Sequence, residues 1–341
     1  MTYYGYGRVI KGVGGLFTVR LLPADSTLLP PEASQPPEGM ALDGMPLNGQ
    51  TVFARGRGHL RAKGSLLVGD LVRVGYDESA FSRNEQGELL LSEDGGGIAV
   101  EEILPRSCGL IRPPMANLSH LFVTLAAASP APIPETVDKL ISIAEFNGIE
   151  PVIVITKSDL APESARSLAE LYRGAGFGVF CQGLDRETES LKEYILSLPR
   201  GTIAAFSGAS GVGKSTLLNR LFPILGLETG EISRRIERGK NTTRCVELYS
   251  LSEDPDGALL ADTPGFTMLD FERFDFFEKE DLPETFREFR PYLGECRYTK
   301  CSHTKEQGCA VIEALRQGKI AKSRHQSFVS LYDVLKKKTK W

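Results

Sequence analysis

Up to about residue 100, apolar and polar positions alternate in short runs between glycines. The runs are Gly7-Arg-Val-Ile-Lys, Gly15-Leu-Phe-Thr-Val-Arg-Leu-Leu, Gln50-Thr-Val-Phe-Ala-Arg and Asp70-Leu-Val-Arg-Val-Gly-Tyr. A period of two marks half-buried strands, and several in succession predict a small β-barrel. Residues 23–48 break the pattern with proline, glycine and small side chains, which predicts a long surface insertion. After Ile103-Leu-Pro-Arg the period changes. Apolar runs Leu121-Phe-Val-Thr-Leu-Ala, Pro151-Val-Ile-Val-Ile, Phe177-Gly-Val-Phe and Thr202-Ile-Ala-Ala-Phe are separated by helical stretches at 134–147 and 163–173. Continuous apolar strands alternating with helices predict a parallel sheet covered on both faces, completed by strands at 246–251 and 258–261. From about residue 271 an acid-rich helix, a cysteine cluster and a basic helix follow, which reads as a third, small domain. The expected division is 1–105, 106–271 and 272–341.

A chain of 341 residues agrees with two or three domains. No segment approaches the roughly 18–20 apolar residues of a membrane helix. The start, Met1-Thr-Tyr-Tyr-Gly-Tyr, lacks the regions of a signal peptide, so a cytoplasmic protein with no membrane partner is expected. Of six cysteines, Cys108, Cys181 and Cys245 are scattered, whereas Cys296, Cys301 and Cys309 cluster around His303. That pattern indicates a metal and not cystines. The net charge of −4 argues against indiscriminate polyanion binding, but charge is segregated along the chain. Arg316, Lys319, Lys322, Arg324, Lys336, Lys337, Lys338 and Lys340 make a basic C-terminal stretch, and Arg55, Arg57, Arg61 and Lys63 a second strip in the barrel. One polyanion-facing side is the expectation.

Gly208-Ala209-Ser210-Gly211-Val212-Gly213-Lys214-Ser215-Thr216 follows an apolar strand and precedes the helical Leu217-Leu-Asn-Arg-Leu-Phe. This is the context of a phosphate-binding loop: glycines let backbone N–H groups converge on phosphate oxygens at a helix N-terminus. Lys214 is assigned to the β- and γ-phosphates and the Ser215 hydroxyl to Mg²⁺. Asp262-Thr-Pro-Gly ends another apolar strand, placing Asp262 on Mg²⁺ and the Gly265 N–H on the γ-phosphate. Thr156-Lys157-Ser158-Asp159 follows a third strand. The Asp159 carboxylate can accept guanine N1–H and its exocyclic amine, a pair adenine lacks, with Lys157 along base and ribose. The three motifs together indicate GTP and GDP as ligands.

The guanine motif precedes the phosphate loop, the reverse of the common GTPase order, so the sheet is circularly permuted. The strand ending at Asp262 then leads directly into the C-terminal domain. Cys296-x4-Cys301-x-His303-x5-Cys309 places four ligands within fourteen residues, suited to one tetrahedral, structural Zn²⁺. With these motifs the chain resembles the RsgA (YjeQ) family, circularly permuted GTPases dependent on the small ribosomal subunit. The resemblance implies an OB-fold barrel, carrying the strips Arg55-Gly-Arg-Gly-His-Leu-Arg and Ile103-Leu-Pro-Arg, a permuted P-loop GTPase domain of the α/β class and a C-terminal zinc-binding helical domain. It implies GTP hydrolysis stimulated by that subunit late in its maturation, contact with its rRNA, and a monomer. OB-like barrels commonly bind oligonucleotides, which agrees with the basic strips.

Switch I is expected within 233–244, where Thr243, or else Thr242, reaches Mg²⁺. Asn241 stands where the family usually has histidine. It cannot act as a base near neutral pH but can orient water through its amide. Phe266 follows the Asp-Thr-Pro-Gly motif where many GTPases carry glutamine, so slow intrinsic hydrolysis is expected. Thr156 replaces the family's usual Asn. Two other readings stay open: a non-hydrolysing RNA-binding scaffold, kept alive by Asn241 and Phe266, and a P-loop ATPase or kinase, which Asp159 opposes.

Overall fold

A computed structural model describes residues 3–23, 25–29, 50–58, 60, 65–76, 80–83, 89–91, 97–110, 113–183, 188–223, 246–252, 254, 256–262 and 278–338. In chain order the strands are β1 Tyr3–Val13, β2 Leu16–Leu21, β3 Thr51–Gly56, β4 Leu71–Tyr76, β5 Phe81–Arg83, β6 Leu89–Leu91, β7 Ile98–Ile103, β8 Gly109–Leu110 and β9 Met115–Ala116. They continue with β10 Leu118–Ala126, β11 Glu150–Thr156, β12 Gly178–Gln182, β13 Ile203–Ser207, β14 Glu247–Ser250 and β15 Leu259–Asp262. The helices are α1 Pro134–Phe146, α2 Pro162–Gly174, α3 Thr188–Leu196, α4 Lys214–Leu221, α5 Ala310–Arg316 and α6 Lys322–Lys337, with 3₁₀ turns at Leu282–Thr285 and Arg287–Tyr292. The chain forms two compact units: Met1–Ser119 with Ile195–Ala205 and Gly239–Gly265, and His120–Tyr194 with Phe206–Arg238 and Phe266–Trp341.

In the first unit, alternation along each strand sends valines inward: Val9, Val19, Val52, Val72, Val74 and Val100 are buried. Their burial closes the order β1-β2-β3-β7-β4, with β4 returning to β1 through Tyr3↔Tyr76 to Arg8↔Leu71 and β3 parallel to β7. A closed five-stranded barrel in this order is the OB-fold. Part of the segment that reads as a surface insertion is instead docked. Asp256, itself buried, accepts from Ser26 Oγ at 2.8 Å and from the Thr27 amide at 3.2 Å, while Arg8 donates to the Gly201 carbonyl at 2.7 Å. The same unit carries β13 parallel to β15, and β14 antiparallel to β15. The sequence reading made this sheet wholly parallel. The connection from Leu251, whose amide bonds the Ala258 carbonyl, is too short for a crossover and only allows an antiparallel return.

In the second unit, β10, β11 and β12 run parallel, from His120↔Glu150 to Thr156↔Gln182; the apolar residues of β10 and β11 are buried on both faces, while Val179, Phe180 and Cys181 of β12 are half-buried. The acid-rich stretch predicted as helix falls partly outside the described residues, and its remainder forms the two 3₁₀ turns. Phe286, between the two turns, and Phe289, in the second, pack on Phe328 of α6, with centroids 5.3 and 4.9 Å apart. The basic C-terminal stretch is not a uniform solvated face. Arg324 is 1% exposed, donates to Asp138 of α1 at 2.5 Å and to Glu288 at 2.7 and 3.2 Å, and lies over the Phe286 ring. Burial works against its charge, but the two carboxylates outweigh that and hold the guanidinium pKa above the ordinary arginine value. Arg287 adds bonds to Glu145 and Glu150, and Arg290 to Glu145. The C-terminal segment is thus held on α1 by a buried charge network. Removing Arg324 strands two buried carboxylates, so Arg324→Met is expected to cost about 3–5 kcal/mol in urea unfolding. An unchanged unfolding midpoint would refute that role.

Candidate nucleotide site and metal cluster

The phosphate-loop candidate begins where β13 ends. Gly208 (φ 146°), Gly211 (φ 80°) and Gly213 (φ 93°) all take conformations that side chains resist. At Gly208 the constraint is also steric, because an added Cβ would stand 2.3 Å from the Thr124 carbonyl oxygen on β10. The loop lies against that strand through a position only glycine fills. Its last residue, Gly213, is the N-cap of α4, and no side chain caps the helix. The first N–H groups of α4 therefore face the loop, as anion binding requires. Lys214 reaches back and donates to the Gly208 carbonyl at 3.2 Å, while Ser215 is half-buried and Ala209 and Ser210 are exposed.

The guanine-motif residues meet this loop directly. The Thr156 hydroxyl donates to the Val212 carbonyl at 2.5 Å, and the Lys157 ammonium donates to the carbonyls of Gly211, at 2.9 Å, and Ser129. Lys157 has a positive φ of 55°, a conformation that costs a side-chain-bearing residue on the order of 1–3 kcal/mol and that these bonds offset. The sequence reading puts Lys157 along base and ribose, and in the structure its ammonium engages the carbonyls of Gly211 and Ser129. Thr156 makes a hydroxyl contact whose partner is the phosphate loop. Asp159 is exposed, and Ser158 donates its amide to the Gln182 carbonyl at 3.2 Å.

Sequence reasoning missed Gly183. A Cβ there would lie 3.3 Å from both Asp159 Cβ and Ser158 Oγ, and its carbonyl accepts from Arg220 of α4 at 2.8 Å. Gly183 follows directly on β12, which pairs with β11 up to Thr156↔Gln182, so its backbone leaves the sheet beside the guanine motif. The adjacency of β11 and β12 was the only available signal. Asp262 ends β15, one residue beyond the pair Ala205↔Ala261, so β13 and β15 leave the sheet at the same carboxyl edge. Gly265 and the switch residues Asn241, Thr242 and Thr243 lie outside the described residues, as do residues 30–49 and the side chain of Asp262.

Cys296, Cys301, His303 and Cys309 bring their ligand atoms within 4.8 Å of one another. Cys296 Sγ lies 3.8 Å from Cys309 Sγ and 3.5 Å from His303 Nδ1, and Cys309 Sγ lies 3.4 Å from the same nitrogen. A tetrahedron with metal–sulfur bonds of about 2.3 Å and metal–nitrogen bonds of about 2.0 Å has edges of about 3.8 and 3.5 Å, so the donor set fits a cation of that size. Burial and the neighbouring sulfurs push the Cys301 thiol up to about 12, so three thiolates together require a cation between them. Burial lowers the His303 pKa, favouring the neutral imidazole a metal needs. His325, which had no partner legible in the sequence, holds the His303 carbonyl through Nε2 at 2.8 Å, a support behind the ligand shell. No helix among the described residues is long and apolar enough to cross a membrane.

A match to the family described as RsgA GTPase covers residues 103–272. Small ribosomal subunit biogenesis GTPase RsgA of Alkaliphilus metalliredigens is 32% identical over 338 residues, covering 98% of this chain and 99% of that protein. RsgA of Ruminiclostridium cellulolyticum is 41% identical over 239 residues, 70% of this chain and 75% of that one. Among solved structures, YjeQ from Thermotoga maritima superposes with a TM-score of 0.71 at 27% identity, covering 98% of this chain and all of that one. YloQ, described as a circularly permuted GTPase, gives 0.69 at 27% identity, covering 99% of this chain and 97% of that one. Similarity over the full length, together with the permuted motif order, the closed barrel and the cysteine–histidine cluster, shows that the chain belongs to the RsgA GTPase family.

Proposed function

We propose that the chain hydrolyses GTP to GDP and phosphate in the late maturation of the small ribosomal subunit, binding its rRNA and being stimulated by it. The observation that carries the reading is the hydrogen-bonded junction between Thr156-Lys-Ser-Asp and the phosphate loop, which joins base reading to phosphate binding in one unit. The chain acts as a cytoplasmic monomer of three domains, with an RNA-binding barrel at 1–105, the GTPase domain at 106–271 and the metal-binding domain at 272–341.

Catalysis of phosphoryl transfer is positional and electrostatic. The backbone N–H groups from Gly208 to Thr216 cradle the phosphates, and Lys214 neutralises the β- and γ-oxygens. Ser215, Asp262 and Thr243 are the residues to hold Mg²⁺, which when bound offsets charge on the phosphate oxygens. The Gly265 amide marks the γ-phosphate and the Asn241 amide orients the attacking water. With neither a histidine at 241 nor a glutamine at 266 the water is poorly held, so the free protein turns over slowly and the subunit completes the geometry. Asp159 reads the base, with Thr156 and Lys157 fixing its motif to the loop. The cluster at Cys296, Cys301, His303 and Cys309 holds one structural Zn²⁺, since all four positions of the tetrahedron are protein ligands.

Competition tests the nucleotide assignment. Excess GDP should displace labelled GTP while excess ATP does not, and the labelled product should be GDP; displacement by ATP would transfer the site to the ATPase class.

A further inference from the structure

Along β3 the side chains alternate between the barrel core and its outer wall. Val52 and Ala54 are buried, whereas Thr51, Phe53 and Arg55 are exposed, Phe53 by 45%. The antiparallel register sets Lys11, Thr18 and Phe53 in one row across β1, β2 and β3, and Val13, Leu16 and Arg55 in the next. Val13 is 52% exposed. A phenyl ring is therefore displayed on the outer wall, with aliphatic neighbours on one side and a guanidinium two residues along its own strand. The nearby carboxylates are neutralised: Glu247 pairs with Lys11 at 2.9 Å and Glu101 with Arg57 at 2.9 Å. Arg55 has no ion pair among the described residues, so the uncompensated charge on these rows is positive.

A single exposed apolar side chain on a protein surface is ordinary. The arrangement here differs in pairing a flat ring with a cation that makes no ion pair among the described residues, at the spacing of one strand repeat. A protein partner would ask for a broad apolar centre, whereas an unpaired nucleic acid strand asks for a π-face and a phosphate contact beside it. We propose that this face receives a single-stranded RNA segment, with one base stacked on Phe53 and an adjoining phosphate on Arg55. The inference rests on the rRNA-binding reading above and specifies how the barrel takes part in it.

The test uses the full-length protein and a fluorescein-labelled oligouridylate of about 12 nucleotides, within the site size of one such barrel. Phe53→Ala and Phe53→Leu should each weaken binding about tenfold or more at fixed salt, with the salt dependence unchanged. Phe53→Trp should retain affinity, and in a Trp341→Phe background, where it is the sole tryptophan, its emission should be quenched by the RNA. Arg55→Gln should lower the slope of log affinity against log salt by about one. Thermal melts of each variant should match the parent, because the side chains are exposed.

Wild-type affinity in Phe53→Leu would overturn stacking, and so would binding of the parent to small subunits without binding to the oligonucleotide. Loss of subunit binding with intact oligonucleotide binding in Phe53→Ala would overturn it too, assigning the face to a ribosomal protein. Failure of the parent to bind both subunits and oligonucleotide would remove the rRNA reading itself.

Discussion

Asp159→Asn is expected to lower GTP affinity by about 10⁴-fold and to transfer the preference to xanthosine triphosphate. The carboxylate offers two acceptors to guanine N1–H and its exocyclic amine. An amide turns one of them into a donor, which opposes the guanine amine but matches the C2 carbonyl of xanthine. The fold leaves Asp159 exposed three residues beyond β11, beside Gly183, while Thr156 and Lys157 are bonded to the phosphate loop. The substitution should therefore change base choice with the loop intact. Competition binding with both triphosphates measures the switch. Equal loss for the two would mean that the motif collapsed, and no loss for GTP would take Asp159 out of base recognition.

Removal of the zinc proposed for the cysteine–histidine cluster should have the second large effect. Structural zinc sites contribute on the order of 10–16 kcal/mol of apparent binding free energy, which is folding free energy where no site preexists. Here the ligands span the loop between the 3₁₀ turns and α5, and His325 of α6 supports His303 from behind. Chelation, or Cys301→Ser, is expected to release about one zinc per chain and to unfold the segment from about residue 282 first, seen as loss of amide protection in α5 and α6. Because Arg324 ties α6 to α1, the melting temperature of the whole second unit should also fall. Full amide protection after complete chelation would show that the cluster is not structural.

Much of the fold is legible in the sequence because it follows from periodicity. Alternation gives four of the five barrel strands, β1 to β4, but not β7; the switch to continuous apolar runs gives β10, β11 and β13, and the glycine pattern of 208–213 states its own backbone requirement. What was not legible depends on pairing between distant residues. Nothing near Arg324 distinguishes it from the solvated lysines of the same tail, and only the fold brings Asp138 and Glu288 to it. Ser26 reads as part of a loose insertion until Asp256 supplies its partner. Gly183 carries no motif, and its place follows from β12 lying beside β11. Phe53 reads as one apolar position among several in its strand. Its outward direction is fixed by a register that a one-residue slip would reverse.

The most direct test of the central claim is GTP turnover by the purified protein, alone and with isolated small ribosomal subunits, at one fixed salt concentration. The account predicts slow hydrolysis by the free protein and acceleration by orders of magnitude when subunits are added, the scale on which a group supplied in trans acts on this reaction. GTP binding intact but turnover unchanged by subunits would contradict it.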